Sequence, residues 1–207
     1  MIKKKIVSLV VLVLCGLVAT AAVNEAQVKQ KISQMASAIR TMQCDFVQTK
    51  HLKMLNDNVV SRGRMYYQQS NHLRWEYTSP YTYTFVYNGS KVMIKNARRN
   101  DVIDANKNKV FKEIGNVMMS SVMGNCLNDT RSFKTTIAET STEWVASLVP
   151  QRKEMKQMFR LIKLRINRQR AMVTSVELIE RNGDRTVIEL RNVKTNVNIP
   201  ASTFAVS

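Results

Sequence analysis

The sequence is poor in the residues that most often carry chemistry. It has two histidines, His51 and His72, and three cysteines, with no HExxH, no GxSxG and no glycine-rich phosphate loop. Motif by motif, this excludes the common zinc-hydrolase, serine-hydrolase and nucleotide-dependent mechanisms. His72 falls in a turn pattern and His51 near a strand end, so both read as solvated side chains. Acid pairs such as Glu177 and Glu180 read as exposed strand charges, so no enzyme activity, cofactor or metal is expected. The cysteines form neither a CxxC nor a metal-ligand spacing. Six glycines and three prolines leave no flexible linker, and no internal repeat is visible. One domain is expected.

Acids are scarce as well: 15 Asp and Glu stand against 32 Lys and Arg, a net charge of +17. In the cytosol such a balance would point to nucleic acid. The first residues argue against that compartment. Lys3, Lys4 and Lys5 precede an apolar run from Ile6 to Val18, followed by the small residues Ala19-Thr20-Ala21. The run is too short to span a bilayer comfortably and has the three-part form of a secretory signal. Acylation at Cys15 fits poorly, because Val13 and Leu14 stand where a lipobox needs a small residue directly before the cysteine. Residues 1–21 are therefore expected to be a cleaved signal and residues 22–207 a periplasmic domain. No nucleic-acid partner is expected. A basic exported surface leaves an anionic membrane, an acidic protein or solubility alone as its purpose, with Arg98, Arg99, Lys107, Lys109 and Lys112 as a candidate docking set. Cleavage would leave Cys44 and Cys126. An even count in an oxidising compartment suggests a disulfide contributing roughly 4 to 5 kcal/mol, and two buried free thiols are the equal alternative.

What the sequence does have is aromatic alternation. From Gly63 to Ile94, three strand-like runs are separated by Ser70-Asn71, Ser79-Pro80 and Asn88-Gly89. Leu73, Trp75 and Tyr77 share one face, Arg74 and Glu76 the other, and Tyr81, Tyr83, Phe85 and Tyr87 again share one face. Asn-Gly is expected to form a type I′ turn, since both residues tolerate positive φ. Helical spacing occurs twice. Asn24 with Gln27 reads as a helix start, followed by a stripe of Val28, Ile32, Met35, Ile39 and Met42. Val110 to Met123 places Val110, Phe111, Ile114, Val117, Met118 and Val122 on one arc and ends at Gly124-Asn125. Strand patterns cover Asp45 to His51, Val59 to Gln69, Ser132 to Glu139, Glu143 to Val149, Met158 to Asn167, Ala171 to Glu180 and Arg185 to Val193, with a short segment from Asn196 to Phe204. The sum is an α+β chain of about ten or eleven strands, whose sheet must curl to hide its apolar face.

The order of short motifs resembles one family over essentially the whole mature chain. Phe46-Val47-Gln48 after an N-terminal helix, Gly63, Leu73-Arg74-Trp75-Glu76-Tyr77 with Pro80, Asn88-Gly89, Asn182-Gly183, Ile199-Pro200 and Phe204 are similar to the periplasmic outer-membrane lipoprotein carriers of the LolA type. The resemblance implies an incomplete, half-open antiparallel β-barrel with an N-terminal helix and a lid helix. It implies a carrier that takes the acyl chains of lipoproteins from an inner-membrane releasing transporter and passes them to an outer-membrane receptor, working as a monomer. Met65, Tyr67, Leu73 and Trp75 would line the cavity beneath Ile114 and Met118 of the lid. Many members have a basic residue and proline where this chain has Gln69-Ser70, so a charged lid latch is replaced by an amide able to make only a neutral hydrogen bond to helix carbonyls. Non-transporting relatives with the same half-barrel, receptors or stress sensors, are the alternative.

Overall fold

The computed structural model describes residues 23–206; the expected signal and Cys15 lie outside the described residues. The chain begins with helix α1 (Glu25–Ala38) and a meander of six strands: β1 (Thr41–Leu52), β2 (Asp57–Gln68), β3 (His72–Ser79), β4 (Tyr83–Asn88), β5 (Lys91–Asn96) and β6 (Asn100–Asp104). Helix α2 (Lys109–Met123) and a 3-10 turn (Asn125–Asn128) lead into β7 (Phe133–Glu139) and β8 (Glu143–Pro150). A one-and-a-half-turn helix α3 (Lys153–Met158) precedes β9 (Phe159–Asn167), β10 (Met172–Glu180), β11 (Arg185–Thr195) and a closing 3-10 turn (Ala201–Phe204).

All eleven strands form one antiparallel sheet in the order β6-β5-β4-β3-β2-β1-β11-β10-β9-β8-β7. Two meanders are thus joined by the β1–β11 pair, which runs from Met42 opposite Thr195 to His51 opposite Arg185. The outermost strands β6 and β7 do not meet, so the sheet is a half-open barrel and not a closed one. Its inner face alternates strictly in the first half of β1, where Met42, Cys44 and Phe46 are buried between half-buried neighbours. Those residues join Met65, Leu73, Trp75, Leu148, Leu164, Ile166 and the buried positions of α1 and α2 in one continuous core. A second, small cluster lies on the outer face, where Val86 and Met93 are covered by Ile199 and Phe204 of the C-terminal tail.

Several local expectations need correction. Asn24 does cap α1, its side chain accepting from the Gln27 amide at 3.2 Å, but the helix stops at Ala38 and Met42 belongs to β1. The hydrophobic spacing carries on past the helix because a buried strand residue happens to fall in phase with it. The Asn88-Gly89 turn is not type I′: only Gly89 has positive φ, and Asn88 Oδ1 instead accepts from the amides of Ser90 and Lys91. Positive φ at two successive non-glycine residues occurs at Ser70 (70°) and Asn71 (66°). Residues 196–200 form no strand. Helix α3 leaves no signal in the sequence, because six residues are too few to show a period.

Candidate functional site

The inner face of β1 to β4 is where the sequence places its candidate cavity. Register puts Met65 opposite Trp75 and Tyr67 opposite Leu73, with Cys44 opposite Met65 on the other side, so these residues share a face. Met65, Leu73 and Trp75 are fully buried and Tyr67 is half-buried against them. Phe46, absent from the sequence-derived set, is the hub. Its ring stacks on Trp75 with centroids 4.3 Å apart and meets Tyr77 edge-on at 5.2 Å, and Tyr77 continues to Tyr81 at 5.6 Å and Tyr83 at 6.0 Å. Room for that ring comes from Gly63, directly opposite in β2. A Cβ on Gly63 would collide with the Phe46 ring and with the Glu76 carbonyl oxygen. A glycine inside a strand is the available signal for this close approach.

Polar atoms on this face are few. The Tyr77 hydroxyl donates to Gln48 Oε1 at 2.9 Å and the Tyr87 hydroxyl to the Gly89 carbonyl at 3.2 Å. Trp75 Nε1 is buried with no partner in hydrogen-bond geometry, although it lies near enough to the Tyr77 hydroxyl to temper the rise that burial imposes on that phenol. Burial likewise raises Tyr67, Tyr83 and Tyr87. The interior is thus an apolar, neutral surface of rings, thioethers and the Cys44 thiol.

Helix α2 covers this surface. Its rotation is set by Gly115, which sits on the Tyr87 ring so closely that a Cβ would lie 2.9 Å from Cδ1. Gly115 occupies the contact, so Met119, Val122 and Met123 are buried and Met118 half-buried, while Ile114 turns outward at 42% exposed. Of the two lid residues named from sequence, Met118 meets the core and Ile114 does not lie among the buried residues. Gly124, in the left-handed conformation at φ 75°, ends the helix and abuts Ile32 of α1. The space left between α1, α2, β1 and β10 is a void of about 10 Å³ lined by Met35, Ile39, Met42, Val122, Met123 and Met172 among others. That is room for one water, against a few hundred Å³ in ordinary ligand pockets. Between the described residues of these four elements no ligand-sized space is open.

Gln69 makes the helix contact its amide allows, with Nε2 donating to the Ser37 carbonyl at 3.1 Å. The carbonyl belongs to α1, however, and not to the 109–123 helix. Cys44 and Cys126 are both buried free thiols, so the bridge suggested by their even number is not formed in this structure. One lies in β1 and the other in the 3-10 turn after α2, each enclosed in apolar packing. Arg98 and Arg99 also part from Lys107 and Lys112, since β6 carries the chain from one rim of the half-barrel to the other between them. The expected basic docking set is not one patch.

Three comparisons bear on this geometry. An outer-membrane lipoprotein carrier protein from Methylococcus capsulatus is 25% identical over 179 residues, which are 86% of this chain and 83% of that protein. An uncharacterized conserved protein from Thermus thermophilus shares the fold with a TM-score of 0.53 at 9% identity, over 86% of this chain and 91% of its own. MucB in the MucA/MucB complex of Pseudomonas aeruginosa gives a TM-score of 0.52 at 11% identity, over 87% of this chain and 61% of that chain. The family described as outer membrane lipoprotein carrier protein LolA matches residues 37–207, from the end of α1 through every strand and the lid helix, and the chain belongs to that family.

Proposed function

We propose that this protein is a periplasmic carrier that takes the acyl chains of lipoproteins between α2 and the inner face of β1 to β4. In this reading it receives them from an inner-membrane lipoprotein-releasing transporter and yields them to an outer-membrane acceptor. The observation that carries the reading is the character of the surface being covered: Tyr87 on the sheet meets Gly115 of α2, and Phe46, Met65, Leu73 and Trp75 share one continuous apolar core with Met119, Val122 and Met123 of that helix. Moving acyl chains through water is uphill by about 0.8 kcal/mol per methylene, so a carrier needs an apolar surface to receive them. It also needs that surface covered when empty. Methionine and aromatic faces adapt to chains of different length, and the poorly satisfied Trp75 N–H is a donor that an ester or amide carbonyl would accept.

A second reading, a half-barrel that binds an envelope protein without carrying lipid, is favoured by the small volume of the interior void. Titration with a fluorescent fatty-acyl probe, alongside thermal unfolding, separates the two. The carrier reading expects the native protein to bind the probe. Leu73→Glu should abolish binding, because an unpaired carboxylate costs several kcal/mol to bury. A native protein that takes up no probe, with Leu73→Glu simply unfolding the domain, would leave the second reading.

A further inference from the structure

The antiparallel order brings five connections to one rim of the half-barrel. They are the β1–β2 tip, the β3–β4 loop, the β5–β6 turn, the β10–β11 turn, and α3 with the adjoining ends of β8 and β9. The exposed large apolar side chains concentrate there: Met54 (93% exposed), Leu55 (72%), Val59, Val60, Tyr81 and Met158 (52%). At the opposite rim, residues 69–71, 88–90, 140–142 and 168–170 contribute none of the exposed large apolar side chains among the described residues.

Contacts join three of these connections into one platform. The Lys53 amide donates to Asp184 Oδ1 at 3.0 Å, and the Lys53 side chain lies over Gly183, so the β1–β2 tip leans on the β10–β11 turn. The Arg181 amide and its Nε donate to the carbonyls of Met158 and Lys156, which ties that turn to α3. Beside the tie is a cleft of about 480 Å³ lined by Gln151, Lys153, Lys156, Gln157 and Arg181. These described lining residues are three cations and two amides, with no acid among them. Residues 50–57, 79–82, 96–101, 149–160 and 180–185 together have ten lysines and arginines against five acids.

We propose that this rim is the surface on which the protein settles on an anionic phospholipid bilayer. Met54, Leu55 and Met158 would enter the headgroup–acyl boundary, and the Lys153–Lys156–Arg181 cleft would take a lipid phosphate. The charge sign selects an anionic partner. The placement favours a bilayer over a protein: Met54 with Leu55 and Met158 project from a hairpin tip and a helix end beside cationic side chains, which suits insertion into a fluid anionic interface. None of these residues belongs to the candidate acyl site, so the inference goes beyond the carrier reading and is tested apart from it.

The test is flotation of the purified protein with vesicles of phosphatidylglycerol and phosphatidylethanolamine, compared with phosphatidylcholine alone. Binding is expected to the anionic vesicles and to fall as salt rises. Met54→Ser with Leu55→Ser, and separately Lys153→Gln with Lys156→Gln, should each weaken it roughly tenfold. Thermal midpoint and binding of the soluble acyl probe should stay unchanged in both. Flotation that is equal on both vesicle types, absent altogether, or untouched by either pair of substitutions would overturn the proposal. So would full competition by inorganic phosphate, which would make the cleft a site for a free anion.

Discussion

Burial has its sharpest chemical consequence at Cys44 and Cys126. Desolvation pushes each thiol from its ordinary 9.0 up to about 12, with Asp45 adding to the rise at Cys44 and the Ser121 hydroxyl opposing it at Cys126. A thiolate is the reactive form, so both should resist alkylating reagents in the folded protein at neutral pH. Denaturation without reductant should expose both, and mass spectrometry of the labelled peptides should find Cys44 and Cys126 modified. Unmodified peptides linked to one another would show a bridge instead. The linkage to stability has a definite sign. Between about pH 9 and 12 the unfolded chain releases these protons while the folded chain holds them, so stability present below pH 9 is lost as pH rises. The slope is about 1.4 kcal/mol per pH unit for each thiol. Denaturant titration of Cys44→Ala against the parent at pH 8 and pH 10 measures it: the parent should lose more stability over that interval than the variant.

Among the elements, α1 and α2 cover the same face but are held differently. Polar bonds tie α1 along its length: Glu25 Oε1 accepts from the Ile137 amide at 2.9 Å, Asn128 Nδ2 donates to Ser33 Oγ at 2.6 Å, and Gln69 and Asn196 donate to the carbonyls of Ser37 and Ala38. By contrast α2 starts at Asn108, which makes no side-chain capping bond, and it meets the sheet at β10 and where Gly115 lies on Tyr87. A helix without a cap and with an interior glycine forgoes about 1 kcal/mol at each feature. Hydrogen exchange should accordingly open α2 before α1 and before β8 and β9. Gly115→Leu tests the same contact from the other side, since the added side chain must push α2 off Tyr87. The variant should unfold a few degrees earlier and bind the acyl probe or an apolar dye more readily than the parent. Unchanged probe binding would mean that α2 is no cover. This contrast also marks how far the sequence can be read. Strand alternation from Val59 to Tyr87 yields the face and the register, because period two leaves one choice once a face is apolar. The arc of α2 is legible in the same way, but its rotation is not. Helical spacing sets Ile114 and Gly115 about 100° apart on a wheel, and only the approach of the Tyr87 ring decides which of the two directions faces the sheet. Phe46 does not stand out as the hub, because Gly63 marks a close approach without saying which residue of β1 lies opposite it.

At the scale of the whole molecule, an open sheet of eleven strands has two edges to protect. Strand β6 is five residues long, Asn100–Asp104, and alternates exposed and half-buried positions. It carries Asp101, paired with Arg99 at 3.1 Å, and Asp104, whose carboxylate accepts from the Asn106 amide in the following turn. Between them Val102 is exposed at the free edge. At the other margin β7 keeps Lys134 and Glu139 exposed and buries Phe133 and Ile137 inward. Short length and inward or outward charge are the ordinary means of stopping one edge from adding to another, so the chain is expected to be monomeric in light scattering across concentration. Removing the guard should reverse that. Asp101→Ile sets a third apolar side chain directly before Val102 and Ile103 on the edge strand, opposite Ile94 at the margin of the inner face, and frees Arg99. The thermal midpoint should barely move, as Asp101 is only half-buried at the sheet margin and surface substitutions usually contribute about 0.5 kcal/mol or less. Apparent mass should now rise with concentration. A variant as monomeric as the parent would place the protection elsewhere, in the twist of the sheet margin and not in its charges.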